Sequence, residues 1–582
     1  MIKLHDEIMN NLIEAVKQER QRIEKPKNRS RYFIYGKIRD WHNTKGYYVT
    51  FENIPDRALK DAKWSDIQDK SLLFRIGDIF IPGNVKIESR GLSIFFSIND
   101  INKLNIDITS LKRMTDIGID YIMDNRELTE HLLIFLKSKA HIKNEFLEHL
   151  TSKTSIISVK NMRNSISNLD LNLSQKNTIE KALSQKITFI WGPPGTGKTK
   201  TMGALAASLI KNKKRVLLTG ISNMALDQLL LMTLDQLRND TSKISIARLG
   251  STMDDKCQGF SRNSFKDFFN VKREGASWSE HIKYASLVAG NFTMLTFPYA
   301  PDPGLFDYVI VDEVSMANIP SLISTSFFAK IGIVLGGDPF QLPPIYPEDA
   351  EEPNEWLRAN IFEKAGITQS DDPRSSFLDI QYRMQYEIGN LVSEMFYKDV
   401  GGLKTRVDFL EPIRGFGGRV VFIHSPGIVK KVGAGYLNDE EHRRFNEVHA
   451  EVAIKATLVG LKNGVKPSEI GIIVPYNAQV VQISQKLQQF NIDSNEIKVS
   501  TIHSFQGQER RMIIVDFTDD NIKPTHLTAN WKLINVALSR AKEQLIMIGN
   551  QDYLMSTEYF NENEISIFKR LLKHTRILYL QN

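Results

Sequence analysis

The sequence predicts an α/β protein with two tandem parallel-sheet domains, preceded by an accessory β-barrel and a helical stalk. Strand-like apolar runs alternate with helical segments after Leu171, which is typical of parallel strands that are buried on both faces. The first series is ITFI, RVLLT, YVIVD and IGIVLGG, and the second is GRVVFIH, IGIIVPY, IKVSTIH, RMIIVDF and QLIMIG. An acidic stretch, PEDAEEPNEW, separates the two series. We therefore predict α/β domains over residues 166–345 and 346–582.

The N-terminal third has a different texture. Residues 1–30 carry apolar side chains at close to helical spacing, which predicts an amphipathic helix. Residues 31–110 contain short β-rich runs broken by glycine and proline, as in a small β-barrel. Helical periodicity returns in LTEHLLIFLKSKAHIKNEFLEHL, so residues 111–165 are predicted as the stalk.

Composition narrows the classes of protein. A length of 582 residues favours several domains, and a single cysteine, Cys257, excludes an intramolecular disulfide and a cysteine-rich zinc module. No apolar run reaches the length of a membrane span, and the start lacks the apolar centre of a signal peptide, so we expect a soluble, intracellular, cytoplasmic protein. A net charge of +7 permits a nucleic-acid partner, but a solvated surface explains the same excess.

The clearest motif is a phosphate-binding loop. WGPPGTGKTKT follows the strand-like ITFI, precedes the helical MGALAASLI, and fits the pattern GxxxxGK[ST]. Backbone N–H groups of such a loop surround phosphate oxygens at a helix N-terminus, the lysine neutralises the β and γ phosphates of ATP, and the hydroxyl ligates Mg²⁺. A plain glycine-rich turn would not require the Lys-Thr pair. The predicted nucleotide-binding residues are Gly192, Pro193, Pro194, Gly195, Thr196, Gly197, Lys198 and Thr199.

An acidic pair ends the strand-like run FDYVIVDE. Asp312 can hold the Mg²⁺ shell together with Thr199, and Glu313 can take a proton from the attacking water. An acidic pair at a strand end is common by chance, but its place in the strand series after the phosphate loop favours the catalytic interpretation.

Together with further segments, these residues resemble the superfamily 1 helicases, specifically the Upf-like branch of superfamily 1B. The resemblance covers residues 171–549, and the motifs occur in the family's order. The matching segments are LNLSQKNTIEKAL, LLTGISNMALDQL, GGDPFQLPP, LDIQYRMQYEIGNLVSEMFY, STIHSFQGQE and LINVALSRAKEQLIMIG. ASLVAGNFTMLTF matches a strand-binding motif poorly.

The resemblance implies a role for individual residues. At the nucleotide it implies adenine recognition by Gln175, a phosphate contact by Arg383, a position near the base for Tyr382, nucleotide contacts by Gly507 and Glu509, and an arginine finger at Arg540. It places Asp338 and Gln341 between the γ-phosphate and the strand. At the nucleic-acid strand it implies Ser222, Asn223, Thr501 and His503, with Asn291 and Thr293 as weaker candidates.

The resemblance also implies an architecture and an activity. Two RecA-like domains would hold ATP between them, with Arg383 and Arg540 contributed by the second domain; each arginine could instead form an interdomain salt bridge. Mg²⁺-dependent ATP hydrolysis, stimulated by single-stranded DNA or RNA, would then drive 5′ to 3′ movement and unwinding.

Two features depart from the family pattern. Met316 occupies the place of a usual glutamine after the acidic pair, and His503 that of a usual aspartate. Residues 251–283, rich in charge and aromatics, could lie over a strand or form a helical hairpin.

Other functions stay open. An ATP-gated clamp or sensor could recruit a partner without unwinding, and a nucleoside triphosphatase could act on protein complexes. The sequence contains no recognisable nuclease segment, so a separate nuclease or effector protein is a candidate partner.

Overall fold

The computed structural model describes most of the chain. The described residues are 2–24, 31–43, 46–52, 71–76, 79–88, 91–97, 116–122, 126–159, 170–237, 244–261, 278–297, 301–302, 304–344, 354–431, 444–490, 492, 496–505, 507–524 and 528–579. Residues 262–277, in the aromatic segment that could lie over a strand or form a helical hairpin, are outside these ranges. Among the described residues, no helix combines the length and the apolar character needed to cross a lipid bilayer.

Six antiparallel strands near the N-terminus form a closed barrel in the order β1-β2-β5-β4-β3-β6. Closure pairs the edge strands, which removes the exposed edges of an open sheet. The strands are β1 Arg31–Asn43, β2 Gly46–Glu52, β3 Ser71–Ile76, β4 Ile79–Glu88, β5 Gly91–Ser97 and β6 Asp116–Ile122. β6 lies inside residues 111–165, which we predicted as stalk, because it pairs with both β1 and β3.

Helices flank the barrel segment in the chain. They are Ile2–Glu24, Arg126–Lys139 and Leu147–Thr151. The first two lie against each other, since Arg20 Nε is 2.5 Å from a carboxylate oxygen of Glu130. Apolar side chains spaced along the first helix are buried, among them Ile8, Leu12 and Val16, which is the stripe expected of an amphipathic helix.

The first α/β sheet has seven parallel strands in the order β13-β7-β12-β11-β8-β10-β9. Its strands are β7 Ile187–Trp191, β8 Val216–Gly220, β9 Ile246–Leu249, β10 Leu287–Gly290, β11 Phe306–Asp312, β12 Ala329–Gly337 and β13 Ser375–Phe377. The helices in this part are Leu173–Ser184, Lys198–Lys211, Asn223–Leu237, Asp255–Gln258, Trp278–Tyr284, Phe292–Thr296, Ile319–Ser326, Glu355–Arg358 and Ile361–Lys364. A small parallel pair, β14 Ile380–Gln381 and β15 Lys404–Thr405, follows.

The second α/β sheet has six parallel strands in the order β20-β19-β21-β22-β16-β23. Its strands are β16 Val420–His424, β19 Ile470–Val474, β20 Lys498–Thr501, β21 Arg510–Asp516, β22 Ala541–Gly549 and β23 Arg576–Tyr579, and β17 Val429–Lys431 pairs antiparallel with β18 Arg444–Asn446. The helices are Tyr386–Val392, Glu447–Lys462, Asn477–Gln489, Trp531–Leu538, Gln551–Leu554 and Glu562–Lys573, and Ser393–Tyr397 forms a π-helical turn. The prediction of two parallel α/β sheets is confirmed.

The contacts divide the chain into two compact units. The first unit comprises Met1–Arg22, Arg126–Arg383 and Phe396–Val407, and the second comprises Ile23–Asn125, Met384–Met395 and Asp408–Asn582. The predicted boundary between residues 345 and 346 differs from this division, because β13 pairs with β7 of the first sheet. The end of the first unit therefore lies well past the acidic stretch.

Candidate nucleotide and strand-binding sites

The phosphate loop connects a buried strand to a long helix. β7 is buried throughout, and the next residue, Gly192, donates its backbone N–H to the carbonyl of Gly337 at 2.9 Å. Gly195 and Gly197 have φ values of +73° and +77°, which residues with a Cβ rarely adopt. The helix then begins at Lys198. The loop thus presents a helix N-terminus at the carboxyl ends of parallel strands, where open α/β sheets bind ligands.

Lys198 lies between two carboxylates. Its ammonium group forms an ion pair with Asp312 and is 3.0 Å from Oε1 of Glu313. The Thr199 hydroxyl donates to Oδ2 of Asp312 at 3.4 Å. Burial lowers the pKa of Lys198, but the two carboxylates outweigh it and raise that pKa above its ordinary value. The lysine is therefore firmly cationic, as neutralising phosphate charge requires.

The two acidic residues have different surroundings. The Asp312 side chain is 3% exposed, whereas that of Glu313 is 35% exposed. Burial raises the pKa of Asp312 above its ordinary value, against the opposing effect of Lys198. Glu313 has a φ of +56°, a strained value for a residue with a side chain, and its N–H donates to Oδ1 of Asp312 at 2.8 Å. The strained turn separates a buried carboxylate from a more accessible one.

Gln175 is held at the phosphate loop. Its Nε2 donates to the carbonyl of Thr196 at 3.0 Å, and its Oε1 accepts from the N–H of Asn172 at 3.1 Å. Asn172 caps the helix Leu173–Ser184 and also donates to the Tyr382 hydroxyl at 2.8 Å. The structure thus brings the predicted adenine contact, Gln175, close to the predicted base contact, Tyr382.

Arg383 is the last residue of the stretch Arg126–Arg383 in the first unit, whereas we predict it in the second domain. The backbone N–H of Tyr382 donates to the carbonyl of Gly195 at 2.8 Å. A Cβ added to Gly195 would lie 2.6 Å from Cβ of Arg383, so the two backbones are in close contact. The reason is that β14 follows β13, which is an edge strand of the first sheet.

Asp338 is buried and receives four hydrogen bonds. Its Oδ1 accepts from Trp191 Nε1 and from the N–H of Phe340, both at 3.1 Å. Its Oδ2 accepts from Gln341 Nε2 at 2.7 Å and from the Tyr397 hydroxyl at 2.5 Å. Burial raises the pKa of Asp338 above its ordinary value, although the four donors act in the opposite direction. Asp338 therefore orients Gln341 from inside the first unit.

The remaining predicted nucleotide residues lie in the second unit. Gly507 has a φ of +70°, and Glu509 is paired with Lys542 at 2.5 Å. Arg540 is buried, and in the chain it follows the helix Trp531–Leu538 and directly precedes β22. Its carbonyl accepts from the N–H of Arg510 at 3.1 Å.

The predicted strand contacts fall into two groups. In the first unit, the Ser222 hydroxyl accepts from the N–H of Ala225 at 3.1 Å, and Asn291 Nδ2 donates to Oδ1 of Asn223 at 3.1 Å. Thr293 lies in the short helix that Asn291 caps. In the second unit, Thr501 ends β20, with its hydroxyl 3.4 Å from that of Ser504, and His503 begins the following turn.

Comparison with known proteins places the chain in a family. Two AAA domain models match residues 170–282 and 357–552, together just over half of the chain. The Xenopus laevis "DNA replication ATP-dependent helicase/nuclease DNA2" is 29% identical over 85% of this chain and 46% of its own length. The Drosophila melanogaster "Regulator of nonsense transcripts 1 homolog" is 27% identical over 67% of this chain and 35% of its own length. The chain belongs to the Upf-like superfamily 1 helicases.

A third relative is more similar in length. The Saccharomyces cerevisiae "DNA polymerase alpha-associated DNA helicase A" is 27% identical over 71% of this chain and 70% of its own length. By contrast, the chain spans less than half of the length of the Xenopus and Drosophila relatives.

The structure also shows residues of the first unit that sequence reasoning missed. Arg248 is fully buried and paired with Asp227 at 2.7 Å, next to Asn223. Tyr397 holds Asp338. An arginine inside the apolar run ISIARL was a usable signal, because a charged residue in a buried strand needs a partner. Tyr397 carried no such signal, since its partner is 59 residues away in the sequence.

Proposed function

We propose that the chain is an ATP-driven motor that hydrolyses ATP and moves 5′ to 3′ along single-stranded nucleic acid, separating duplexes as it moves. The proposed ATPase activity rests on one observation: Lys198 lies between Asp312 and Glu313, beside Thr199, at the end of a phosphate loop. The nucleic-acid track and the direction follow from the family resemblance.

The residues of the first unit divide the chemistry among them. Backbone N–H groups at the start of the helix Lys198–Lys211 bind phosphate oxygens, and Lys198 neutralises the β and γ phosphates. Glu313 accepts a proton from the attacking water, which its partial exposure permits. Gln341, whose side chain is held by Asp338, contacts the γ-phosphate.

The oxygen donors present fit a magnesium ion. The Thr199 hydroxyl and Oδ2 of Asp312 are 3.4 Å apart, so both oxygens can ligate one small hard cation. When bound there, the ion neutralises charge on the β and γ phosphates. Magnesium bound by these two oxygens would leave the roles proposed for Lys198 and Glu313 unchanged.

Other assignments rest on the motifs. Gln175 and Tyr382 recognise the base, Arg383 contacts phosphate as a first-unit residue, Gly507 and Glu509 bind nucleotide, and Arg540 is the arginine finger. Thr501 and His503 contact the strand. The barrel and the helices after it act as an accessory element that guides nucleic acid. The protein works in the cytoplasm with a separate nuclease or effector protein.

The test measures ATP hydrolysis with single-stranded DNA and single-stranded RNA side by side, over a range of salt concentrations. Strand-stimulated, magnesium-dependent hydrolysis that weakens with salt is expected, because phosphate contacts weaken steeply with ionic strength. Displacement of a duplex with a 5′ tail but not a 3′ tail tests the direction. Hydrolysis that no strand stimulates would contradict the proposal.

Met316 favours a second candidate function, an ATP-gated clamp that recruits a partner. It is buried after the acidic pair, in the place of the family's usual glutamine, and a thioether is only a weak hydrogen-bond acceptor. Because Met316 cannot replace the hydrogen bonds of that glutamine, ATP hydrolysis would be coupled less tightly to movement along the strand. ATP-dependent changes in strand affinity without displacement on either tail would favour the clamp over the motor.

A further inference from the structure

One buried guanidinium links two predicted strand contacts in the first unit. Arg248 Nη2 donates to Oδ1 of Asn223 at 3.1 Å, and the same oxygen accepts from Asn291 Nδ2 at 3.1 Å. Asn223 begins one helix and Asn291 caps another, so the three side chains connect separate elements at the carboxyl edge of the sheet. Nothing in the family motifs quoted above assigns a role to Arg248.

The environment of Arg248 is closed and well satisfied. Its side chain has no exposed surface, and its Nε donates to Oδ1 of Asp227 at 2.7 Å. Its other donors reach the carbonyl of Ser251 at 3.0 Å and the carbonyl of Leu249. The second oxygen of Asp227 accepts from the N–H groups of Met253 and Asp254 at 2.6 Å and 3.1 Å.

Stability alone does not account for such a pair. Removing two charges from water costs several kcal/mol per ion, and apolar replacements of buried pairs are often neutral or stabilising. What an apolar pair cannot do is orient a neighbouring amide. The buried pair of Arg248 and Asp227 is therefore better explained by its effect on Asn223, the residue whose side chain Arg248 holds.

The contact determines which end of the Asn223 amide faces inward. A guanidinium carries only donors, so the atom that meets Arg248 must be the amide oxygen. Asn291 Nδ2 donates to the same oxygen. The end of the Asn223 side chain that can meet a strand is then Nδ2, a donor that matches a phosphate or sugar oxygen.

We infer that Arg248, anchored by Asp227, is a positioning residue that presents the Asn223 amide as a hydrogen-bond donor to the backbone of a bound nucleic-acid strand. The inference rests on the proposed function, since it requires that the first unit bind a strand. Arg248 acts only through Asn223 and does not touch the strand.

Two substitutions test this geometry. Arg248→Lys keeps a cation beside Asp227 but lacks the planar fork that also reaches Asn223. Asn223→Asp keeps an oxygen toward Arg248 and Asn291 and replaces the outward donor with an acceptor. The matched controls are Arg374→Lys, at a buried arginine paired with Asp372 at 3.0 Å, and Asn318→Asp, at the residue that caps the helix Ile319–Ser326.

The measurement is the Kd for a labelled single-stranded oligonucleotide, with a thermal melt of each variant. Arg248→Lys is expected to raise Kd about 10-fold, because Asn223 would no longer be oriented to donate to a strand phosphate. A lost hydrogen bond to such a charged partner costs about one or two factors of ten in affinity. Asn223→Asp should raise Kd at least as much while melting no lower than Asn318→Asp. Adding Arg248→Lys to Asn223→Ala should raise Kd no further, because a positioning residue acts through the side chain it orients.

The outcomes separate the two proposals. If the unsubstituted protein binds the oligonucleotide and Arg248→Lys binds it as tightly as Arg374→Lys does, the positioning role is wrong and the proposed function stands. Additive effects of Arg248→Lys and Asn223→Ala would also reject it. If the unsubstituted protein binds neither DNA nor RNA strands, the proposed function fails and the inference falls with it.

Discussion

The Tyr397 hydroxyl donates a hydrogen bond to Oδ2 of Asp338 at 2.5 Å, and Gln341 Nε2 donates to the same oxygen at 2.7 Å. Both Asp338 and Tyr397 are buried. Gln341, which we propose contacts the γ-phosphate, is therefore held by the Asp338 carboxylate, and Tyr397 helps to fix that carboxylate.

Tyr397→Phe removes this hydroxyl and keeps the ring. We expect strand-stimulated kcat to fall about 10-fold with little change in the KM for ATP, because a small displacement of a positioned group costs turnover more than binding. Steady-state ATPase assays measure both constants. Tyr553→Phe is the control, since that buried hydroxyl donates to the carbonyl of Ile522 at 2.7 Å in the second unit. An equal loss of kcat in both variants would assign Tyr397 a purely structural role.

Lys198→Ala and Glu313→Gln should both abolish turnover, for different reasons. Lys198→Ala removes the charge that binds phosphates, so ATP affinity should fall too. Glu313→Gln removes the proton acceptor but not the phosphate site, so nucleotide binding should persist. Fluorescent-nucleotide binding and ATPase assays distinguish the two. Lys200→Ala, at an exposed lysine of the same helix paired with Asp170, should keep activity, whereas turnover by Glu313→Gln would reject the assigned base.

The sequence predicts the phosphate loop and the two sheets well, because those signals are local. β7, the glycines of the loop and the helix from Lys198 are continuous in the chain, and buried parallel strands appear as apolar runs. The sequence does not show that Arg383 lies in the first unit. That placement depends on β13, three residues that join the edge of the first sheet by pairing with β7.

The sequence indicates that Arg248 needs a partner, but it does not identify that partner. Asp227 and Arg248 are 21 residues apart in the chain, and neither belongs to a phosphate or carboxylate motif. Their pairing requires a helix to lie beside a strand, which only the tertiary fold supplies. Similarly, β6 could be assigned to the barrel only by its antiparallel pairing with β1 and β3.

Gly195→Ala should destabilise the protein more than Gly304→Ala does. Both glycines have positive φ, +73° and +65°, so each substitution incurs backbone strain of roughly 1–3 kcal/mol. Only at Gly195 would the new Cβ also meet Arg383, at 2.6 Å, while at Gly304 it meets no atom within 4 Å. Thermal melts and ATP titrations compare the pair. Equal melting temperatures would show that Arg383 yields easily and does not constrain the loop.

His449 is a buried histidine in the second unit whose two ring nitrogens both face acceptors. Nδ1 lies 2.8 Å from Oδ1 of Asp516, and Nε2 lies 2.7 Å from the carbonyl of Ser425. A carbonyl and an ionised carboxylate only accept, so this arrangement fits a ring that carries a proton on each nitrogen. Burial lowers the pKa of His449, but Asp516, these hydrogen bonds and the nearby Asp520 outweigh it and raise that pKa above 6.5.

His449→Gln should therefore make stability less dependent on pH. Because the folded pKa of His449 lies above the unfolded one, its stabilisation is fully present below about pH 6.5 and is lost as pH rises through the folded pKa. The melting temperature of the unsubstituted protein should exceed that of His449→Gln most at the acidic end of the range, and the gap should narrow toward alkaline pH. Thermal melts from about pH 6 upward measure this gap. His281→Gln is the control, since Nε2 of that part-buried ring lies 2.9 Å from the carbonyl of Ile246. A gap that stays constant or widens with pH would mean that His449 is neutral in the folded protein, and that Asp516 is satisfied by Gln479 and Thr518 without it.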